Sequence, residues 1–272
     1  MCRTRTCFLI TLTIFVICAI AVAQNSKGQS TNDAAMIQKA AAQGDASAQF
    51  NFGVMYQDGR GVPQDDTQAA VWFRKAADQG YAEAQSNLGL MYALGRGVPQ
   101  DYQQAANWLR KAAEQGNADA QFNFGMLYEE GHGLRQDYAQ AVVWYRKAAQ
   151  QGNASAQFHL GLLCDAGRGI PQDSAQALVW YRKAAELEYG PAQFKLGSVY
   201  EEGQNVPRDY AQALIWYHRA AEQGLAAAEY RLGLMYKNGR GVEQDQTQAA
   251  AWMHKAAKQG DPDAQSNLGT VR

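Results

Sequence analysis

Six tryptophans stand at a constant spacing of 36 residues along this 272-residue chain, and it has no others. They are Trp72, Trp108, Trp144, Trp180, Trp216 and Trp252. A fixed period of about 20–50 residues is the signature of a repeat array, in which each unit buries its apolar face against its neighbours. The repeat therefore overrides the prior of one or two globular domains that the chain length alone would give.

Each unit carries two helical patterns joined by a short loop. In the first unit, Ala48, Phe52, Gly53 and Tyr56 share one side of the first pattern. Counted from Ala69, the second pattern has apolar residues at i, i+3, i+4, i+7 and i+8, the spacing of an amphipathic helix. The sequence therefore predicts an all-α fold, an α/α solenoid of 36-residue helix-turn-helix repeats.

The ends of the helices are also encoded locally. Asp65 precedes the second helix as a predicted N-cap, and Gly80 follows it as a predicted C-terminal stop. Both recur in the later units, except that the fourth unit has Glu188 in place of the stop glycine. In that unit we expect the helix exit to be displaced to Gly190 and Pro191.

The chain divides into five predicted segments. Residues 1–23 hold Arg3 and Arg5, an apolar run and a small-residue end, as in a secretory signal peptide, although an uncleaved anchor is the alternative. Residues 24–32 are a polar, flexible leader, and 33–47 form an N-terminal capping helix. Six full repeats follow over 48–263. A truncated seventh repeat over 264–272 leaves a face through which self-association is possible.

Charge excludes some classes of partner. The formal net charge is −1, and without residues 1–23 there are 23 basic and 26 acidic side chains. Such a chain lacks the basic footprint of a nucleic-acid binder, and we expect no stable membrane insertion once a signal peptide is cleaved.

Only Cys164 remains beyond residues 1–23, so no internal disulfide can form, and we expect a buried, inert thiol.

A glycine stands inside every first helix. It recurs as Gly53, Gly89, Gly125, Gly161, Gly197, Gly233 and Gly269. A glycine within a helix costs about 1 kcal/mol relative to alanine, so its recurrence predicts that a large side chain packs against the backbone there. We expect that side chain to be a tryptophan or a tyrosine such as Tyr56.

The unit pattern A-x-x-x-L/F-G-x-x-Y-x-x-G-x-G-V-P-x-D-x-x-x-A-x-x-W-Y/F-x-K-A-A-x-x-G resembles the Sel-one-like repeat (SLR) family, a branch of the tetratricopeptide-like solenoids. The resemblance covers roughly residues 34 to 272, nearly all of the mature chain. It implies a right-handed superhelix that serves as a scaffold for protein partners. Many bacterial members are exported, so the resemblance also implies a periplasmic or secreted protein.

The candidate site is a stripe on the first helices that varies between copies at i, i+4 and i+7. The resemblance implies that this face lines a concave groove for a protein or peptide partner. Packing of the aromatic residues between units is the alternative. The predicted partner-binding residues, called the first-helix stripe below, are Phe50, Val54, Phe122, Met126, Glu129, Phe158, Leu162, Phe194, Glu201, Tyr230, Leu234 and Lys237.

A second varying position follows the aromatic residue of the stripe. It reads Asn51, Asn87, Asn123, His159, Lys195, Arg231 and Asn267 along the chain. We interpret it as a solvated position, with a change in the polarity of the groove as the alternative.

No catalytic, metal or cofactor site is predicted. The four histidines form no i, i+4 pair, and no cysteine stands beside them as a ligand. The family also has a cysteine-rich secreted branch described as penicillin-binding or β-lactamase-like, which is the alternative function. That branch carries cysteine pairs in each repeat, and this chain has neither those pairs nor an S-x-x-K motif. The sequence therefore predicts a non-catalytic scaffold, either a periplasmic regulator or a secreted factor.

Overall fold

The computed structural model describes residues 31–268, and every regular element in that range is an α-helix. The predicted signal peptide and the first part of the leader lie outside the described residues. A capping helix, α1 (Thr31–Ala42), precedes six helix pairs, numbered here repeats 1 to 6. The pairs are α2 (Ala46–Asp58) with α3 (Asp66–Asp78), α4 (Ala82–Leu94) with α5 (Tyr102–Glu114), α6 (Ala118–Glu130) with α7 (Tyr138–Gln150), α8 (Ala154–Ala166) with α9 (Ser174–Glu186), α10 (Gly190–Glu202) with α11 (Tyr210–Glu222), and α12 (Ala226–Asn238) with α13 (Gln246–Lys258); α14 (Pro262–Leu268) follows.

These helices form two compact units. The first holds α1 to α5, α6 as far as Leu127, and residues 131–135; the second holds residues 128–130 and everything from Gln136 onward that is described. Within each unit a helix packs against the next helix in the chain, which is the solenoid arrangement that the 36-residue period predicts. In the described part of the chain, no helix has the length and apolarity needed to cross a membrane.

The predicted caps are confirmed. The Asp65 carboxylate accepts hydrogen bonds from the N–H groups of Thr67 at 2.9 Å and Gln68 at 3.0 Å, and the equivalent aspartates cap the other five second helices. At the other end Gly80 has φ of 91°, in the region that favours glycine. The local sequence therefore determines where each second helix begins and ends.

The glycine inside the first helix faces a different residue from the one predicted. A β-carbon at Gly53 would lie 2.7 Å from two ring carbons of Phe73, and one at Gly161 would lie 2.6 Å from the Tyr181 ring. The residue is neither the expected tryptophan nor Tyr56, because the residue after the tryptophan points inward, and in repeats 4 and 5 that residue is a tyrosine. Phe73 is fully buried, whereas Trp72 is half-buried and lies 3.8 Å from the Lys75 ammonium.

The exit of the fourth repeat is not displaced, contrary to the prediction. Glu188 takes the place of the glycine with φ of 59°, and its N–H donates to the carbonyl of Ala185 at 3.1 Å. The same bond joins Gly80 to Ala77 in repeat 1. Backbone hydrogen bonds therefore keep the turn, and Glu188 accepts a left-handed conformation that costs about 1–2 kcal/mol for a residue with a β-carbon.

Buried glutamines join the two helices of one repeat through their side chains and reach the preceding helix through a backbone carbonyl, and the sequence analysis missed them. Gln49 donates to the carbonyl of Ala41 at 3.2 Å and accepts from Gln79 at 2.8 Å. Corresponding side-chain pairs join Gln115 to Gln85, Gln223 to Gln193 and Gln259 to Glu229. Repeat 4 lacks this side-chain pair, because Leu187 stands at the position of the donating glutamine. The buried Oε1 of Gln157 is therefore left without a hydrogen-bond partner.

Candidate functional site

The first-helix stripe divides into half-buried and fully buried residues. Phe122 and Met126 are each only 2% exposed, so for these two the alternative of packing inside the array fits the structure better. The others remain half-buried. They are Phe50, Val54, Glu129, Phe158, Leu162, Phe194, Glu201, Tyr230, Leu234 and Lys237.

The half-buried aromatic residues are held by other rings. The Phe158 ring centroid lies 5.8 Å from that of Tyr181 and 5.5 Å from that of Tyr189. Phe194 lies 5.5 Å from Tyr217 in the same way. Tilted ring pairs at these distances add to the stability of a packed surface. Phe158 and Phe194 therefore each have one side of the ring fixed in the interior, while part of the ring stays open.

The third position of the stripe pairs with the next repeat. Glu129 lies 3.3 Å from Nδ1 of His159. Thirty-six residues later, Asp165 lies 3.8 Å from the Lys195 ammonium. In repeat 5 the Glu201 carboxylate is flanked by two arginines of repeat 6, Arg231 at 3.8 Å and Arg240 at 3.6 Å. In each case a carboxylate of one repeat faces a histidine, lysine or arginine side chain thirty residues later. Such a pair is called a rung below.

A tyrosine hydroxyl accompanies these acids from the second helix. Tyr145 donates to Glu129 at 2.5 Å, and Tyr217 donates to Glu201 at 2.8 Å. In repeat 4 the buried Tyr181 hydroxyl makes no hydrogen bond of ordinary geometry, although Asp165 is near enough to raise its pKa. Aspartate is one methylene shorter than glutamate, and Asp165 accepts from Ser174 at 2.7 Å instead.

The other repeats lack all three members of this arrangement: the acid, the tyrosine and the base. In repeats 1, 2 and 6 the third stripe position is not acidic, the inward residue has no hydroxyl, and the following position is neutral. The sets are Gln57, Phe73 and Asn87; Ala93, Leu109 and Asn123; and Lys237, Met253 and Asn267. The acid, the tyrosine and the base therefore vary together across the copies.

This pairing corrects the interpretation of the second varying position as solvated. Asn123 is 3% exposed and His159 is 7% exposed, while Lys195 and Arg231 are half-buried and paired with acids. The charges at this position follow the acid of the preceding repeat. Comparing the two varying columns at an offset of 30 residues would have found the relation from the sequence.

Burial and hydrogen bonding shift the acidity of these groups. Burial alone would raise the pKa of Glu129, but the hydrogen bond and charge of His159, followed by the Tyr145 hydroxyl, lower it below its usual range. The pKa values of Tyr145, Tyr181 and Tyr217 are raised, chiefly by burial and also by the neighbouring carboxylates. The lowered pKa makes Glu129 an ionised acceptor at neutral pH, and the raised pKa values keep the three tyrosine hydroxyls neutral.

The remaining candidates for chemistry are structural. Cys164 is buried as predicted, its thiol donates to the carbonyl of Asp173 at 3.2 Å, and burial raises its pKa. A raised pKa leaves less thiolate, the reactive form. Among residues 31–268, no group of three or more histidine, cysteine, aspartate or glutamate residues is placed to hold a metal ion.

Comparisons with known proteins agree with the repeat architecture. The model of the Sel1 repeat matches residues 46–81, 82–117, 118–153, 154–189, 190–225 and 226–261. No curated protein matches the sequence. Among solved structures, a Sel1 repeat protein from Oxalobacter formigenes is 38% identical with a TM-score of 0.74, over 79% of this chain and 86% of that one.

Two further structures extend the comparison. A protective antigen of uropathogenic Escherichia coli with an SLR fold is 37% identical with a TM-score of 0.73, over 94% of this chain. This chain spans 56% of the length of that antigen. An immunity protein from Pseudomonas aeruginosa is 22% identical with a TM-score of 0.53, over 82% of this chain and 86% of that one, a likeness that shows the fold alone.

Proposed function

Because this chain belongs to the Sel1-repeat family, whose members are generally non-catalytic protein-interaction modules, we propose that it holds a partner protein or peptide along the first-helix stripe. The observation that carries the proposal is the row of half-buried aromatic and aliphatic residues in repeats 4 to 6. The row consists of Phe158 and Leu162 in repeat 4, Phe194 in repeat 5, and Tyr230 and Leu234 in repeat 6, at equivalent positions of their repeats.

The physical basis is a fixed surface that is partly apolar. Rings already held by Tyr181, Tyr189 and Tyr217 lose little further freedom when a partner covers them, which lowers the entropic cost of association. Aromatic residues are also enriched at the centres of protein interfaces. A segment lying across the first helices could contact one such ring in each repeat.

We further propose a periplasmic or secreted location. The support is the signal-peptide pattern in residues 1–23 and the relative from Escherichia coli that is described as a protective antigen. An antigen that protects must be accessible to the immune system of a host. The partner is then either a bacterial envelope protein, for a periplasmic regulator, or a host protein, for a secreted factor.

Site-specific photo-cross-linking tests the proposal. A benzophenone amino acid is placed at Leu162, on the stripe, or at Val179, an exposed apolar residue on the second helix of the same repeat. We expect cross-links from position 162 in intact bacteria or with host extract, and none from position 179. Equal cross-linking at both positions would refute the stripe as the site, and no cross-link at 162 would refute the scaffold role assigned to it.

A charge substitution gives a second test of the same surface. The Leu162→Glu/Leu234→Glu variant places two charges on the stripe, and Val143→Glu/Val179→Glu places two on the second helices as the matched control. With the benzophenone amino acid moved to Phe194, a stripe residue that neither variant changes, we expect only the first variant to lose its cross-linked partner. The alternative function is tested with nitrocefin, since sustained hydrolysis by the purified protein would overturn the non-catalytic assignment.

A further inference from the structure

The side-chain amide of Gln157, near the start of α8, uses its donor but not its acceptor. Its Nε2 atom donates to the carbonyl of Ala149 at 3.2 Å, as the equivalent glutamines of repeats 2 and 5 do one helix earlier. Its Oε1 atom is buried and makes no hydrogen bond, in a residue that is only 6% exposed. A buried amide oxygen without a donor is unfavourable, because it has given up its hydrogen bonds to water. The oxygen therefore remains able to accept a hydrogen bond from a group outside this chain.

The equivalent oxygens in other repeats show which chemical group fits this position. In repeat 1 the primary amide of Gln79 donates to Oε1 of Gln49 at 2.8 Å and to the carbonyl of Gly44 at 3.0 Å. The corresponding side-chain bonds in repeats 2, 5 and 6 measure between 2.7 and 2.9 Å. A primary amide carries two N–H donors, so one such group serves two acceptors at once. A glutamine or asparagine side chain is therefore the donor that matches this position.

Leu187 stands where the donating glutamines of the other repeats stand. It is 50% exposed, and its side chain has no polar atom. The donating glutamines are themselves exposed residues whose amides reach inward, so the acceptor lies within one side-chain length of the surface. They are Gln79, Gln115, Gln223 and Gln259. An exposed leucine changes rotamer readily, which lets a second side chain follow the same route to Gln157.

This position adjoins the first-helix stripe. Gln157 directly precedes Phe158 in α8, and the ring centroid of Tyr189 lies 5.5 Å from that of Phe158. Tyr189 in turn is two residues after Leu187. A segment that covers Phe158 can therefore extend one of its own side chains past Leu187.

We propose that a partner segment inserts a glutamine or asparagine side chain beside Leu187, where its amide donates to Oε1 of Gln157. The inference rests on the proposed function and adds to it the class of side chain that is recognised at repeat 4. Glu186 and Glu188 flank Leu187, which makes a lysine the competing donor. A lysine would give up the hydration of a full charge to reach a neutral buried oxygen, whereas an amide would not.

The site is tested without the partner, using propionamide as the probe and 2-butanone as its isostere with a methyl group in place of the NH₂ group. Binding is followed by NMR from the side-chain amide signals of Gln157 and, as the internal control, of Gln193, whose oxygen is already paired with Gln223. We expect saturable shifts at Gln157 alone, with propionamide binding about fivefold more tightly than 2-butanone, the factor for one neutral hydrogen bond.

Three results of this titration would overturn the inference. They are equal affinities for the two probes, equal shifts at both glutamines, and no shift at Gln157, as when a bound water molecule holds the oxygen. Tighter binding of n-propylammonium than of propionamide would also overturn it, because the position would then belong to a lysine.

Three substitutions sharpen the test. Leu187→Gln supplies a donor within the chain and should raise the melting temperature and abolish the propionamide shift at Gln157. Leu187→Ala removes the same leucine without supplying a donor and should keep the shift. Gln223→Leu copies repeat 4 in repeat 5 and should create a second propionamide site at Gln193. Identical behaviour of the two Leu187 variants, or no new site in Gln223→Leu, would contradict the proposed hydrogen bond.

Recognition of the partner is tested with the cross-link at position 162. We expect about a fivefold lower yield in Leu187→Gln, because the chain's own amide then occupies the oxygen, and no loss in Leu187→Ala. An equal loss in both variants, or no loss in Leu187→Gln, would refute the insertion of an amide but not the scaffold. No cross-link at 162 in the wild type would refute the proposed function and the partner as the source of the amide, while the propionamide titration would still decide whether the site exists.

Discussion

In repeats 1 and 5 an aromatic ring packs against the equivalent glycine of the first helix, and the two rings differ by one hydroxyl. In repeat 1 Phe73 lies against Gly53, whereas in repeat 5 Tyr217 lies against Gly197. The hydroxyl of Tyr217 reaches Glu201, and the equivalent residue in repeat 1 is the neutral Gln57. A buried hydroxyl without a partner is unfavourable, so a tyrosine is favoured where an acceptor is supplied.

The comparison shows that variation between copies has two causes. Some positions vary because they are open to solvent or to a partner, as Leu162 and Leu234 are in part. Others vary because their partner in the same chain varies, as Glu201, Tyr217 and Arg231 do. Variability alone therefore does not identify a binding residue.

The largest expected effect on stability concerns the glycine inside the first helix, which all six repeats share. We expect Gly161→Ala to destabilise the protein by about 2 kcal/mol, because the new β-carbon would lie 2.6 Å from the rigid ring of Tyr181. Gly89→Ala should cost less, since it meets the side chain of Leu109, which can change rotamer. Urea unfolding followed by circular dichroism measures both. Equal losses would show that the rigidity of the side chain facing the glycine makes no difference.

The next effect separates the hydroxyl from the ring. Tyr217→Phe should cost about 1.5 kcal/mol, because Glu201 loses a charge-assisted hydrogen bond in a half-buried site. Tyr200→Phe removes a hydroxyl that accepts from Arg182 near the surface and should cost less than about 0.5 kcal/mol. If thermal unfolding gives the same loss for both variants, the acid–tyrosine pair contributes nothing specific.

A gain in stability is expected in repeat 4, where Glu188 replaces the glycine that ends the second helix of the other repeats. Glu188→Gly should stabilise the protein by about 1 kcal/mol, because glycine adopts φ of 59° without the clash of a β-carbon. Ala substitution at the same position is the control, since alanine keeps the β-carbon and should gain little. A loss of stability in Glu188→Gly would mean that the glutamate side chain has a compensating interaction.

The smallest effect tests the short acid of repeat 4. Asp165→Glu lengthens the side chain toward the buried Tyr181 hydroxyl and should stabilise the protein by about 0.5 kcal/mol, after the loss of the hydrogen bond from Ser174. Combined with Tyr181→Phe, the same substitution should no longer stabilise. Additive effects in that double-mutant cycle would contradict the hydrogen bond.

The fold was predictable because its signals are local and recur in each copy. Asp65 and Gly80 mark the ends of one helix, and their equivalents do the same in other repeats. Two details were not predicted correctly: the exit of repeat 4, where Glu188 keeps the turn, and the residue that faces the glycine of the first helix. Periodicity shows which side of a helix is apolar, but it did not show that Phe73, rather than Trp72, faces Gly53.

The candidate site was predictable only in outline. The stripe is half-buried at most of the predicted positions, but Phe122 and Met126 are buried. The rungs were missed because each residue was considered within its own repeat, whereas Glu129 and His159 belong to different repeats. A contact between repeats depends on how one helix pair stacks on the next, which no single repeat reveals.

The sequence by itself determined the repeat, its 36-residue period, its caps and the family, since these depend on residues close together in the chain. The tertiary structure decided which varying residues face one another. Residues about 16 and 30 positions apart are brought within hydrogen-bond or ion-pair distance only by helix packing, as Tyr145 and His159 are at Glu129. Burial then makes these pairings selective, because a buried charge or hydroxyl is stable only beside a matching group.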